Sequence, residues 1–185
     1  MIQANHQLDA KGLACPMPIV RTKKAMADVQ EGEVLEVLAT DKGSKADIAA
    51  WSRSAGHQYL GTTEEGETLA HYIRKGTNEP EVEKSFEQTV DLAEVAKTDR
   101  QGILLDVREN AEYAFGHIEG AISIPLGELE ERLSELNKEE KTYVVCRTGK
   151  RSDLAAQLLA DKGFTDVYNV LPGMTSYDGP TKTNL

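Results

Sequence analysis

A polar, acidic stretch with one proline, Gly76-Thr77-Asn78-Glu79-Pro80-Glu81-Val82-Glu83-Lys84-Ser85, divides the sequence into two parts of different texture. Such a run offers too few apolar side chains to be buried, and it reads as a linker. Fully extended it spans roughly 33 Å, so two separately folded bodies could approach one another in several ways. Charge changes across it. Residues 1–75 carry 9 Lys/Arg against 10 Asp/Glu, whereas residues 76–185 carry 12 against 21. With 185 residues, 39% hydrophobic and 28% charged, each part can hold a small core of its own. The expected organisation is a domain over 1–75, a linker over 76–85 and a second domain over 86–185.

In the first part the pattern predicts a strand near 2–8, a helix over about 16–29 and a strand at Val34-Leu35-Glu36-Val37-Leu38-Ala39. A helix near 44–55 and two strands near 57–63 and 67–74 follow, with Glu64-Glu65-Gly66-Glu67 suited to a hairpin turn. That order, β-α-β-α-β-β, is expected to fold as an α+β two-layer sandwich with two helices on one face of a four-stranded sheet. The second part has short apolar runs with little alternation: Ile103-Leu104-Leu105-Asp106-Val107, Ala121-Ile122-Ser123-Ile124, Tyr143-Val144-Val145-Cys146 and Val167-Tyr168-Asn169-Val170-Leu171. Runs of this kind suit strands buried on both faces of a central parallel sheet. Between them, Leu126, Leu129, Leu133 and Leu136 mark one helical stripe, and Leu154, Leu158 and Leu159 mark another, closed by Lys162-Gly163. The second domain is therefore expected to be α/β.

Several function classes are set aside by composition. A net charge of −10 opposes direct binding of nucleic acid or of an anionic membrane surface. No apolar run approaches the ~20 residues of a membrane span, and the first residues lack a signal-peptide layout, so a cytoplasmic location is expected. Two cysteines, Cys15 and Cys146, are too few for a disulfide framework or a cysteine zinc site, and no metal or other cofactor is expected. A free cysteine is ordinarily a small buried hydrophobe, so each needs a specific reason to be called reactive.

Cys146 has one. Cys146-Arg147-Thr148-Gly149-Lys150-Arg151-Ser152 lies where a buried strand ends and a helix begins, the place where parallel α/β sheets bind ligands. A thiol there faces the free N–H groups and positive dipole end of the next helix. Gly149 lets the loop turn several amides inward, and Arg147, Lys150 and Arg151 add three cations. Each effect favours thiolate over thiol. Two chemistries use a thiolate in such a cradle: attack on phosphorus and attack on sulfane sulfur.

The second part resembles the rhodanese domain of sulfurtransferases over about residues 86–182. The resemblance rests on Asp106-Val107-Arg108-Glu109, Glu112-Tyr113, Gly116-His117-Ile118-Glu119-Gly120-Ala121, Ile124-Pro125 and the loop from Cys146 to Arg151. It implies a persulfide held on Cys146, with Arg147, Thr148, Gly149, Lys150 and Arg151 forming the loop that binds it. It also implies structural rather than catalytic roles for His117, Asp106 and Arg108. The four residues between Cys146 and Arg151 match the shorter loop that this fold family associates with sulfur rather than with phosphate or arsenate. Two departures, a single glycine in Leu171-Pro172-Gly173-Met174 and Tyr177 where tryptophan is common, fall on the expected wall of the site.

Cys15 stands in Gly12-Leu13-Ala14-Cys15-Pro16-Met17-Pro18, between a strand and a helix. Prolines fit a helix only in its first turn, which places Cys15 at or just before the N-cap, exposed. With Lys11, Arg21, Lys23 and Lys24 as the nearest cations in sequence, a thiol pKa depression smaller than that of Cys146 is expected. Residues 5–75 resemble the TusA-type sulfur carriers, which share the Gly-Leu-x-Cys-Pro-x-Pro motif. That resemblance implies that Cys15 accepts persulfide sulfur and passes it on. His6, His57 and His71 show no site-like company in sequence, and Trp51 is expected to pack.

The combined expectation is a sulfurtransferase moving sulfane sulfur through a Cys146 persulfide to a thiol acceptor, with a possible relay to Cys15. Its partners would be small donors such as thiosulfate and proteins that donate persulfide or accept sulfur on a thiol. The alternative is a non-catalytic persulfide carrier that docks a partner and delivers sulfur to it.

Overall fold

The structure is a computed structural model that describes residues 2–76 and 86–185. The chain divides into two compact units, Met1–Pro80 and Glu81–Asn184. Nine of the ten residues of the expected linker, 77–85, lie outside the described residues. Gly76 is tied to the first unit: its N–H donates to His57 Nδ1 at 3.1 Å.

The first unit runs β1 (His6–Asp9), α1 (Met17–Asp28), β2 (Val34–Ala39), α2 (Ser44–Ser54), β3 (Gln58–Glu65) and β4 (Thr68–Arg74). Its sheet has the order β1-β2-β4-β3, with β1 parallel to β2 and the other pairs antiparallel. β1 is shorter than the expected strand at 2–8 and lies further along the chain; ahead of it, Asn5 caps the neighbouring strand by accepting the Val34 N–H on its Oδ1. The period-2 pattern of β2 turns Leu35 and Val37 to the helices, and their cross-strand partners on β4 are Ile73 and His71. Leu35, Val37, Ile48, Ile73 and Met26 form the core of this unit. α1 buries Pro18, Thr22 and Met26, spaced four apart along one stripe.

The second unit runs β5 (Thr89–Asp91), α3 (Leu92–Val95), β6 (Ile103–Asp106), α4 (Asn110–Phe115), β7 (Ala121–Ser123), β8 (Thr142–Val145), α5 (Lys150–Asp161) and β9 (Val167–Leu171). All strands are parallel in the order β5-β9-β8-β6-β7. β8 and β6 are interior strands, so the segments that leave their carboxyl ends lie together. No helix among the described residues is long and apolar enough to cross a membrane.

Two expectations change. The leucine stripe from Leu126 to Leu136 does not form an α-helix; it folds as two single 3-10 turns, Leu126–Glu128 and Leu133–Glu135. Leu126 and Leu129, like Leu133 and Leu136, are three apart, and a 3-10 turn brings i and i+3 to one side as well as an α-helix does. All four leucines still reach the core, with Leu129 and Leu136 buried. The stripe on α5 is also rotated: Leu154 is 49% exposed, whereas Ser152, Asp153, Ala155, Ala156 and Leu159 face inward. The polar pair is buried because it is hydrogen-bonded. Asp153 Oδ2 accepts the Phe86 N–H at 3.0 Å, and Ser152 bonds within the loop described below.

Candidate active site

Cys146 follows the last residue of β8 directly, and α5 begins four residues later at Lys150. Gly149 is the N-cap of α5 with φ +89°, a left-handed conformation that a residue with a Cβ resists. That conformation turns the Gly149 N–H onto Cys146 Sγ at 3.1 Å. Ser152, in the first turn of α5, brings its Oγ to 3.2 Å from the sulfur. The Ser152 hydroxyl donates to Asn169 Oδ1 at 2.6 Å, and Asn169 Nδ2 donates to the Gly149 carbonyl at 3.2 Å. Asn169, on β9, thus binds both ends of the loop.

Cys146 itself is 1% exposed and packs with Val144, Leu105 and Ala155. Its polar neighbours distinguish it from an ordinary core thiol. The loop is braced from the segment after β9: Met174 N–H donates to the Cys146 carbonyl at 2.9 Å and Thr175 N–H to the Arg147 carbonyl at 3.0 Å. Gly173, with φ +109°, makes this approach possible. A Cβ there would stand 2.6 Å from the Arg147 oxygen.

Of the cations expected beside the sulfur, Arg151 is engaged elsewhere. Its guanidinium donates to both carboxylate oxygens of Glu112, at 2.8 and 3.1 Å, and Glu112 is 3% exposed. Burial opposes the Arg151 charge, but Glu112 and then the Cys146 sulfur outweigh it and raise its pKa. Arg108 forms a second buried pair with Asp106 (Nη2 to Oδ2, 2.6 Å) and donates to the Gly116 carbonyl. His117 hydrogen-bonds the Tyr113 carbonyl through Nδ1 at 2.9 Å and stacks on the Tyr113 ring at 3.7 Å. The resemblance implies structural roles for these three residues, and each is held in hydrogen bonds within the second unit. Arg147 and Lys150 are half-buried and Thr148 is exposed. Sequence reasoning missed Glu112 as a partner of Arg151, and gave Ser152 and Asn169 no role at the site; an Asn inside an apolar strand run was the available signal.

Cys15 differs in kind. It is exposed, one residue ahead of the Pro16 N-cap of α1, with Pro18 in the first turn. Its Sγ donates to Asp47 Oδ2 at 3.3 Å. The expected lowering of its pKa is not found. The hydrogen bond to Asp47, some burial, and the negative charges of Asp47 and Asp41 push the Cys15 thiol up. Lys11, the nearest expected cation, instead pairs with Asp9 at 3.5 Å. The acidic neighbours belong to α2 and the turn before it, remote in sequence and brought close by the fold.

His71 does have company. It is fully buried, with Nε2 at 2.9 Å from Ser44 Oγ and Nδ1 at 2.9 Å from Thr62 Oγ1 and 3.1 Å from the Tyr59 hydroxyl. Because Ser44 donates to the Asp41 carbonyl, its oxygen accepts from Nε2–H. Burial is the main cause that lowers the His71 pKa to about 4. Trp51 packs at the core edge, tilted against His57.

Two family models match separate parts of the chain. A family model described as "Sulfurtransferase TusA" matches residues 6–75, and one described as "Rhodanese-like domain" matches residues 89–179. A Bacillus subtilis (strain 168) protein, "Putative sulfur carrier protein YrkF", is 49% identical over 191 residues, covering 98% of this chain and 100% of that protein. A second from the same organism, "Putative sulfur carrier protein YrkI", is 59% identical over 75 residues, 40% of this chain and 100% of its own. A solved rhodanese-related protein from Thermoplasma volcanium aligns with 52% of this chain and 98% of its own, at 30% identity and a TM-score of 0.48.

Proposed function

Because the chain belongs to the family of two-domain proteins that carry a TusA domain ahead of a rhodanese-like domain, we propose that it is a sulfurtransferase in which Cys146 holds sulfane sulfur as a persulfide and Cys15 is the carrier thiol. The observation that carries this reading is the Gly149 N–H aimed at Cys146 Sγ from 3.1 Å, at the junction of β8 and α5. A buried sulfur with a backbone amide donor aimed at it is prepared to bear negative charge.

The Cys146 thiolate attacks the outer sulfur of a donor, thiosulfate or a persulfide. The new S–S bond forms as the donor's own S–S bond breaks, and sulfite or the donor thiolate leaves. Arg147 and Lys150 supply positive charge for an anionic donor, with Thr148 on the rim of the loop. Arg151, committed to Glu112, holds the loop in place. An acceptor thiolate then attacks the terminal sulfur and releases the Cys146 thiolate. The acceptor is a small thiol, a partner protein's cysteine, or Cys15, where tethering in one chain raises the effective concentration.

Loading the full chain with thiosulfate and locating the added sulfur by mass spectrometry tests this in wild type, Cys15→Ala and Cys146→Ala. Sulfur is expected on Cys146 in the first two, and no thiosulfate-derived sulfur on Cys15 in the third. Equal loading of Cys15 without Cys146 would remove the forward relay. Absence of Cys146-dependent thiosulfate:cyanide turnover would remove the enzyme.

A further inference from the structure

A carrier thiol has to give up its proton for its sulfur to attack, and at Cys15 that proton already has an acceptor. Cys15 Sγ donates to Asp47 Oδ2 at 3.3 Å on an exposed face. The contact is built by the scaffold. The loop leading to Cys15 is pinned to the end of β2 by Ala10 N–H to the Leu38 carbonyl (2.8 Å) and Gly12 N–H to Thr40 Oγ1 (2.9 Å). The start of α2, which carries Asp47, is fixed from below by buried Ser44, bonded to His71 and to the Asp41 carbonyl. Asp47 in turn donates its N–H to the Gly43 carbonyl in the first turn of α2. The Asp41 Oδ2 atom is buried with no hydrogen-bond partner of its own.

Resting on the carrier reading of Cys15, we infer that Asp47 is the general base of that site, taking the Cys15 proton as the sulfur attacks a donor persulfide and returning it to the departing donor sulfur. The step balances without an oxidant or reductant. The Cys15 S–H bond breaks and its proton passes to Asp47. A bond forms from Cys15 Sγ to the donor's terminal sulfur, the donor S–S bond breaks, and its inner sulfur leaves as a thiolate that is reprotonated. R–S–SH and Cys15–SH become R–SH and Cys15–S–SH.

The arrangement explains why the neighbours of this thiol are acidic. A thiol held protonated is idle toward oxidants and stray electrophiles, yet the thiolate it yields is the stronger nucleophile for having the higher pKa. Asp47 and Asp41 are the charged groups that bear on the sulfur, and both push its pKa up. They also repel a dianionic donor such as thiosulfate. The favoured donor class is a hydropersulfide, R–S–SH, whether free or presented by a basic protein site.

The test uses the full chain with Cys146→Ala, so that Cys15 is its one thiol, alone and combined with Asp47→Asn, Asp47→Glu or Asp41→Asn. Iodoacetamide alkylation against pH reads the proton, and sulfur uptake from cysteine hydropersulfide reads the transfer. Asp47→Asn is expected to move the alkylation profile to lower pH while slowing sulfur uptake near neutral pH on the order of 10²-fold, the lower range for a positioned base. Asp47→Glu should restore part of the uptake. Asp41→Asn should move alkylation the same way and quicken uptake with it, which separates charge from proton transfer. Uptake by Asp47→Asn that rises in step with alkylation overturns the inference, as does an alkylation profile that does not move. If the parent takes up no sulfur at all, the carrier reading falls and the base falls with it. A parent that loads normally beside an equally competent Asp47→Asn removes the base alone.

Discussion

Ser152 gives its only hydroxyl proton to Asn169 Oδ1, so the oxygen that it presents to Cys146 Sγ is an acceptor. The asparagine cannot exchange its two ends at no cost, because its Nδ2 donates to the Gly149 carbonyl. In this arrangement the serine oxygen can accept from the sulfur, while the Gly149 N–H donates to it. Turning the Ser152 hydroxyl to an anionic sulfur or persulfide gives up the bond to Asn169. The hydrogen bonds open to the buried sulfur are therefore tied to a hydroxyl whose direction is set from another strand.

Ser152→Ala removes the middle of this chain and leaves the buried Asn169 Oδ1 without its donor. Stability to denaturant should fall by about 1–3 kcal/mol, and sulfur transfer through Cys146 should slow. Urea melts with a thiosulfate:cyanide assay measure both. Unchanged stability would mean that water replaces the hydroxyl.

The two thiols should separate by access. Cys15 is exposed and Cys146 is 1% exposed, so a bulky maleimide should label Cys15 in the folded chain and reach Cys146 only after unfolding. Peptide mapping after brief labelling, with and without urea, checks this. A small reagent or donor should lose much of that discrimination.

Gly173→Ala should damage the site from outside it. The added Cβ would meet the Arg147 carbonyl at 2.6 Å and Cys146 O at 2.9 Å, in a backbone conformation of φ +109° that alanine resists. The loss of stability is expected to be about 2 kcal/mol or more, with Cys146-dependent turnover falling at least about tenfold. Cys15 alkylation, read in the same protein, should not change.

His71 makes the first unit acid-sensitive. Its pKa is lowered from the usual 6.5 to about 4 in the fold, so between those values the unfolded chain binds the additional proton. The stability it contributes is fully present above about 6.5 and is lost as pH falls toward about 4, with a ceiling on the order of 3 kcal/mol. Burial, then the positive charge of Lys75, lowers the His57 pKa too and adds in the same direction. Melting temperatures across this range in wild type and His71→Gln should show a shallower slope in the variant. Parallel slopes would place the acid sensitivity elsewhere.

Much of the architecture is legible from periodicity. β2 coincides with the expected strand, α1 and α2 fall within a residue of theirs, and β6, β8 and β9 coincide with the apolar runs within one position. β5 escapes notice because Val90 is its one apolar residue, flanked by Thr89 and Asp91; pairing with β9 makes it a strand. Leu154 misleads because a leucine at helical spacing indicates a buried face only when no polar side chain has a better claim. Here Ser152 and Asp153 do. At the sites, the local parts are readable: a strand end, a glycine, a proline-capped helix start. What cannot be read is which residues distant in sequence arrive beside them. Glu112 takes Arg151, Asn169 takes Ser152, and Asp47 reverses the electrostatic surroundings expected of Cys15.

Gly149 caps α5 and donates its own N–H to Cys146 Sγ. A library randomised at that codon would meet two filters at once. Survivors of a solubility screen and survivors of a sulfur-transfer screen should converge on glycine, leaving that position no room to exchange robustness for turnover.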